Sequence, residues 1–469
     1  MEINDIVKKQ RRYFYSGATR SYEARLSALR RLKTAVLENE NTVTEALYAD
    51  FRKPAYETYM CEIALVIEEI DYQIKHLRSF MRTRSARMSL AQFPARSFVS
   101  GEPYSVVLIM APWNYPFLLC MQPLIGALAA GNCAVVKPSA YAPHASAVVR
   151  KIIESAFAPE HIAVIEGGRE ENRALLSEKF DYIFFTGSPA VGKTVMHAAA
   201  DTLTPVTLEL GGKSPVIIDK SANIRIAARR TAFGKVLNAG QTCIAPDYAL
   251  IHESVKDKFV HEYGNALESF FPNGDMSSMP VIVNSKHFDR LSALIDGSIA
   301  SGICDAHTVQ DLPHIVIGGS RDPETRFIEP TVIENAAPDS PIMQEEIFGP
   351  ILPVITYSDI GEAIEFVRRR PRPLALYLFT KSRSSEKHIL ESLSFGGGCI
   401  NDTILHIASP HLGFGGVGAS GMGQYHGRKS YETFTHYRSI MRGSAKFEIP
   451  LRCRPYTERK EKIVRRLFR

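Results

Sequence analysis

The chain has 469 residues, 45% of them hydrophobic and 23% charged, with a formal net charge of +6 at pH 7. That length exceeds one compact core and predicts two or three globular domains, and the longest apolar runs are too short to cross a bilayer. The excess charge sits in residues 452–469, which hold eight Lys or Arg against two Glu; confined to a terminus, it gives no reason to expect nucleic acid as a partner.

Seven cysteines, an odd number without a Cys-x-x-Cys pair, argue against a disulfide framework or a zinc cluster. No metal is expected, and a reduced, cytoplasmic setting follows. The first residues are charged throughout, so no signal peptide is expected.

In chain order, 21–48 reads as a helix, with Leu26, Leu29, Leu32 and Val36 on one stripe, and a second helix covers roughly 60–82. The pattern then changes. Apolar runs at 106–110, 133–136, 162–165, 182–185 and 206–208 predict strands, alternating with helices at 117–130, 143–157, 169–177 and 190–200. This predicts an open, largely parallel α/β sheet, whose strands are apolar on both faces because both are covered. After Gly211-Gly212 a second cycle begins, with strands at 216–218 and 249–251 and helices at 223–237 and 254–270. The fold class is therefore α/β with two doubly wound open sheets. Segment 296–315 yields no assignment. Seven glycines in 411–427 suggest backbone packed closely against something. In the tail, Lys460, Lys462, Arg465, Arg466 and Arg469 surround Ile463, Val464, Leu467 and Phe468. That segment reads either as a solvated, frayed terminus or as a weak attachment to anionic membrane surfaces.

Three segments carry chemistry. Cys243 follows a polar run, Asn-Ala-Gly-Gln-Thr (238–242), whereas the other six cysteines lack such a setting. Glu209 closes an apolar strand just before Gly211-Gly212, at the seam between the two cycles. Asn114, in Ala-Pro-Trp-Asn-Tyr-Pro-Phe (111–117), is a neutral amide able to donate to an oxyanion. A thiol that can attack a carbonyl, a carboxylate that can activate water and an amide donor together suggest acyl chemistry through a covalent intermediate.

A rival pattern overlaps them. Gly187-Ser-Pro-Ala-Val-Gly-Lys-Thr (187–194) fits the Walker A motif letter for letter and follows a strand, while Val216-Ile-Ile-Asp219 mimics its acidic partner. A P-loop NTPase is the alternative reading, and it leaves Cys243, Glu209 and Asn114 unexplained. No Gly-x-Gly-x-x-Gly follows a strand.

These segments, with Phe185-Thr-Gly-Ser188 and Glu345-Glu-Ile-Phe-Gly-Pro350, resemble those of the aldehyde dehydrogenase superfamily over about residues 20–445. Residues 414–430 and 240–247 are most similar to its class 3 and fatty-aldehyde branch. Gly413, where a proline is usual, is a departure. The resemblance implies that Cys243 is the nucleophile, that Glu209 is the general base for thioester hydrolysis, and that Asn114 and the Cys243 backbone N–H are the oxyanion donors. It implies a cofactor loop at Gly187, Ser188, Pro189, Ala190, Val191 and Gly192, with Lys137 on the adenosine ribose. Glu346 would hold the nicotinamide ribose and Phe348 would flank the nicotinamide. Ala140 stands where many members carry a glutamate that repels a 2′-phosphate, so NADP is expected to be accepted beside NAD.

The implied division is a cofactor-binding domain at 1–82 and 107–210 and a catalytic domain at 211–410. Bridging or oligomerisation segments would occupy 83–106 and 411–445, with the basic tail at 446–469. The expected substrate is an aldehyde. Trp113, Tyr115, Ile404 and Ile407 suggest an apolar entrance suited to medium- or long-chain or aromatic aldehydes, and the branch implies a homodimer.

Overall fold

The computed structural model describes residues 2–88, 92–301, 312–446, 448 and 450–467. Two mostly parallel sheets organise it. In the first, the spatial order is Gly421–Met422, Val206–Leu210, Tyr182–Gly187, Val106–Met110, Cys133–Lys137 and Ile162–Val164. All pairings are parallel except that of Gly421–Met422, which runs antiparallel to Val206–Leu210. The chain leaves Val106–Met110 for one side of the sheet and returns at Tyr182–Gly187 on the other. The order therefore reverses between these two neighbours, and a crevice opens at their carboxyl ends, where open α/β sheets take ligands.

Both faces of this sheet are covered, as the apolar runs require. Val107, Ile109, Ala134 and Val136 pack into one core with the helices Tyr22–Glu38, Ala64–Phe80, Leu118–Ala130 and Pro143–Ala156. Val106, Leu108, Cys133 and Val135 face the other way, against Ile6, Val7, Phe14, Val195 and Ala199. Ile6, Val7 and Phe14 belong to a helix, Ile3–Tyr15, that the sequence reading passed over because its charges were conspicuous. The spacing of Ile3, Ile6, Val7, Gln10 and Phe14 carried the signal. Gln10 is fully buried there and donates to the Ala134 carbonyl at 2.8 Å.

The second sheet has the order His314–Ile317, Thr331–Glu334, Ile351–Tyr357, Tyr248–His252, Pro215–Ile218, Ala375–Phe379 and Gly397–Ile400. Only His314–Ile317 is antiparallel to its neighbour. A third, three-stranded antiparallel sheet joins Arg84–Ala86, Arg96–Pro103 and Thr435–Arg442.

The expected helix at 21–48 is two helices, Tyr22–Glu38 and Glu40–Phe51. The break falls at Asn39, whose φ of −113° and ψ of 14° leave the helical region and whose side chain donates back to the Ala35 carbonyl at 2.8 Å. Asparagine competes for backbone groups in this way, which periodicity does not register. The helix expected at 60–82 begins with a π-helical turn, Tyr59–Ile63, before Ala64–Phe80. Of the unassigned segment 296–315, the helix Ser285–Ser301 takes the first part and His314–Ile317 the last; residues 302–311, Cys304 among them, lie outside the described residues.

Candidate active site

The loop before Cys243 holds three successive residues in the left-handed region: Asn238 at φ 51°, Ala239 at 53° and Gly240 at 71°. Glycine adopts this freely and asparagine more readily than most, but Ala239 costs on the order of 1–2 kcal/mol. A Cβ on Gly240 would strike the Gly349 carbonyl oxygen, so side-chain volume is excluded there as well. Hydrogen bonds hold the strained turn. Gln241 Nε2 donates to the carbonyls of Asn238 and Val281, both at 3.1 Å, and its Oε1 accepts from Val283 N–H at 3.0 Å. Asn114 Nδ2 donates to the Gln241 carbonyl at 3.1 Å, and Asn238 Nδ2 donates to the Asn114 carbonyl at 2.8 Å. The Tyr115 and Thr242 hydroxyls lie 2.7 Å apart. Asn114 and Cys243 thus come from different sheets and share one bonded network.

Glu209 is the last residue but one of the strand Val206–Leu210 and lies between two partners in register, Thr186 on one side and Gly421 on the other. Gly421 has a φ of 138°, and an added Cβ would strike the Leu208 carbonyl oxygen, which explains part of the glycine-rich stretch. The Glu209 side chain is 2% exposed, and neither carboxyl oxygen has a partner. Burial raises its pKa well above the usual carboxyl range. An ionised carboxylate so placed is costly, which favours its neutral form. Burial also pushes up the half-buried Cys243 thiol, with the Glu346 and Glu209 carboxyls adding to the effect and nearby backbone N–H groups opposing it.

Two cavities meet at these residues. One, of about 130 Å³, is apolar and is lined by Leu119, Phe233, Leu374, Ile404, Ile407 and Phe414 among others. The other, of about 320 Å³, lies at the crevice where the first sheet reverses and is lined by Pro112, Trp113, Asn114, Ser188, Glu346 and Phe348 among others. Thr186, Glu209, Leu210 and Cys243 border both. Tyr115, Ile404 and Ile407 line the apolar cavity as expected, but Trp113 does not. Its ring lies 5.2 Å from that of Phe348, on the crevice side. Trp113 and Tyr115 flank Asn114 and serve different cavities, a division that two aromatic letters so close together conceal.

The Walker-like segment does not form the extended loop of a P-loop NTPase. The helix Pro189–Thr202 starts at once, with Ser188 as its cap accepting from Val191 N–H at 3.4 Å and Gly192 N–H donating to the Ser188 carbonyl at 2.9 Å. Proline at the first helical position sets this geometry. Lys193 and Thr194 are exposed, and Asp219 accepts from Ser221 and Thr380 in the second sheet. Gly187 and Ser188 reach the crevice; Pro189, Ala190 and Val191 form the exposed first turn above it, and Gly192 packs on Leu210.

Glu346 lines the crevice with Oε1 unpartnered. Burial, then the charge of Asp247, raises its pKa to about 8, against the pull of the Gly212 N–H, Lys213 and Arg290. Phe348 is held at φ 55°. Lys137 lies outside this crevice, at the carboxyl end of its strand; it is 3% exposed, donates to the carbonyls of Pro138 and Gly167 at 2.7 Å each, and has its pKa lowered by burial. Ala140 is exposed nearby in sequence. The sequence reading gave no role to Thr186, whose buried hydroxyl is unpartnered, or to Asn238 and Gln241. All three stood inside quoted segments. Among the described residues no group of three His, Cys, Asp or Glu could hold a metal ion.

A doubly wound fold with a thiol where a switch-point crevice meets an apolar cavity is the arrangement of an enzyme that brings a nucleophile to a ligand crevice. Comparison with known proteins makes this specific. Residues 1–440 match the model of the aldehyde dehydrogenase family. The chain is 45% identical over 459 residues to a Staphylococcus aureus protein named 4,4′-diaponeurosporen-aldehyde dehydrogenase, covering 97% of each. It is 42% identical over 441 residues to the rat aldehyde dehydrogenase named dimeric and NADP-preferring, covering 94% of each. A solved structure described as the substrate-bound state of Staphylococcus aureus AldH superposes with a TM-score of 0.95 at 44% identity, over 100% of both chains. The chain belongs to the aldehyde dehydrogenase family, on the class 3 side that its sequence resembles.

Proposed function

We propose that this enzyme oxidises aldehydes to carboxylic acids with NAD or NADP through a thioester on Cys243, and that apolar medium- or long-chain or aromatic aldehydes are its substrates. The observation that carries this reading is the position of Cys243 on the boundary of the apolar cavity and the crevice. The Cys243 thiolate adds to the aldehyde carbon. Asn114 Nδ2 and the Cys243 backbone N–H hold the oxyanion, one such donor being worth roughly 3 kcal/mol in the transition state. A nicotinamide dinucleotide, when bound, supplies the two-electron acceptor. The acyl group remains on Sγ, and Glu209, once ionised, takes a proton from the water that attacks it, releasing the acid and restoring the thiol.

The residues of the crevice fit such a cofactor. The unpartnered Glu346 oxygen suits a ribose hydroxyl, Phe348 and Trp113 offer aromatic walls, and the helix start at Ser188 offers N–H groups to a phosphate. On this reading 1–82 with 107–210 holds the dinucleotide, 211–410 carries the thiol, and 83–106 with 411–445 forms a dimer arm, in keeping with the rat relative named dimeric. Ala140 leaves room for a 2′-phosphate. The Staphylococcus aureus relative is named for a carotenoid aldehyde, which accords with an apolar cavity. Among the described residues no helix is long and apolar enough to cross a membrane, and the basic helix Glu458–Leu467 would give weak contact with anionic lipid at most. The test is the appearance of reduced nicotinamide absorbance with a fatty or aromatic aldehyde and either cofactor. No signal with any of several aldehydes would refute the reading.

A further inference from the structure

Three side chains from the N-terminal region meet beside the loops that carry Cys243 and Asn114, and the mechanism above uses none of them. Lys53 and Glu62 are fully buried, with Lys53 Nζ 2.5 Å from Glu62 Oε1. The same ammonium sits 4.5 Å from the centre of the Tyr115 ring. The second Glu62 oxygen accepts from the N–H groups of Phe117 at 3.0 Å and Leu118 at 3.2 Å. These open the helix Leu118–Ala130, immediately after the turn bearing Asn114. Glu57 faces the other loop. Its Oε1 accepts from Asn238 N–H at 2.8 Å; burial raises its pKa, against the pull of the Lys53 charge and the Asn238 N–H.

The geometry amounts to a cross-brace. The Lys53 ammonium pairs with Glu62 and acts on Glu57 only at longer range; Glu62 holds the start of the helix that follows the Asn114 turn, and Glu57 holds the first left-handed residue before Cys243. Charge-assisted bonds of this kind are shorter and stronger than neutral ones, and in a buried network each fixes the others. Asn238 is the sensitive point. It sits at a left-handed φ and donates from its side chain to the Asn114 carbonyl, so a shift of its peptide moves both loops at once.

We propose that Glu57, backed by Lys53 and Glu62, is a positioning residue that fixes the Asn238 peptide and thereby the placement of Cys243 relative to Asn114. The inference rests on the roles assigned to Cys243 and Asn114 above. Lys53 and Glu62 are too deeply buried for informative removal; Glu57, only half-buried, is the place to cut.

The experiment compares the full-length wild type, Glu57→Ala and Glu57→Gln by hydrogen exchange and steady-state kinetics. Glu57→Ala is expected to speed amide exchange in 238–243 at least tenfold while the helix Ile224–Val236 stays protected. Its kcat should fall at least tenfold with the aldehyde KM within about twofold. Glu57→Gln keeps an acceptor oxygen at the same reach and should recover most of both. Unchanged exchange in the loop, loosening of the helix to the same degree, or a Gln variant as impaired as Ala would each overturn the proposal. A wild type that oxidises no aldehyde would instead refute the function proposed above, and the exchange comparison would still decide whether Glu57 holds the loop.

Discussion

Asn238 Nδ2 donates to the backbone carbonyl of Asn114 at 2.8 Å, joining the loop that carries the thiol to the loop that carries the amide. The two groups assigned to one carbonyl therefore share a single rigid frame, although 124 residues separate Asn238 from Asn114. Preorganisation of this kind is what an oxyanion donor needs, because a donor that must reorganise during the reaction loses its advantage.

Asn114→Ala should accordingly lower kcat by roughly 10²-fold, the loss typical of one oxyanion donor. Cofactor affinity, followed by quenching of protein fluorescence, should hardly change. A kcat within twofold of the wild type would remove Asn114 from the oxyanion role.

Gly240→Ala should destabilise the fold around Cys243. The φ of 71° costs an alanine on the order of 1–2 kcal/mol, and the new Cβ would press on the Gly349 carbonyl oxygen. A fall in melting temperature of several degrees with loss of activity is expected. Retention of both would mean that the turn relaxes more easily than its contacts suggest.

Ala140→Glu should weaken NADP use relative to NAD by about tenfold or more, through repulsion of a 2′-phosphate and a new acceptor for a ribose 2′-hydroxyl. The ratio of kcat/KM for the two cofactors measures it, and an unchanged ratio would contradict the reading of Ala140.

Burial holds both the Cys243 thiol and the Glu209 carboxyl above their ordinary pKa values. The thiolate is the nucleophile and the carboxylate is the base, so the active form of each grows as pH rises. Acylation and hydrolysis should both accelerate from about pH 6 to 9, with no acid-side optimum. Stability has the opposite sign. The folded Glu346 carboxyl, at about 8, binds its proton more tightly than the unfolded one, at 4.5. Its contribution is intact below 4.5 and declines as pH rises through 8. Glu346→Gln should therefore gain stability over the wild type with increasing pH, as read from thermal melts across that window.

The architecture was legible because parallel strands covered on both faces leave uninterrupted apolar runs, and the sheets fell where 106–110, 182–185 and 216–218 indicated. The site was legible through its polar departures from that background, Asn238 to Cys243 above all. What escaped depends on three-dimensional neighbours. Asn39 broke a continuous apolar stripe through its own side chain. Trp113 and Tyr115, two letters apart, face different cavities. Glu57 drew no reading from the sequence, because its partner, Asn238, lies 181 residues away.

The most direct test of the central claim is the mass of Glu209→Gln after exposure to an aldehyde and oxidised cofactor. Acylation should proceed and hydrolysis stall, so one acyl group should accumulate per chain, on the peptide containing Cys243, together with a stoichiometric burst of reduced cofactor. The same treatment of Cys243→Ala should leave the mass unchanged. An unmodified Glu209→Gln protein that turns over normally, or acylation that persists without Cys243, would contradict the thioester account.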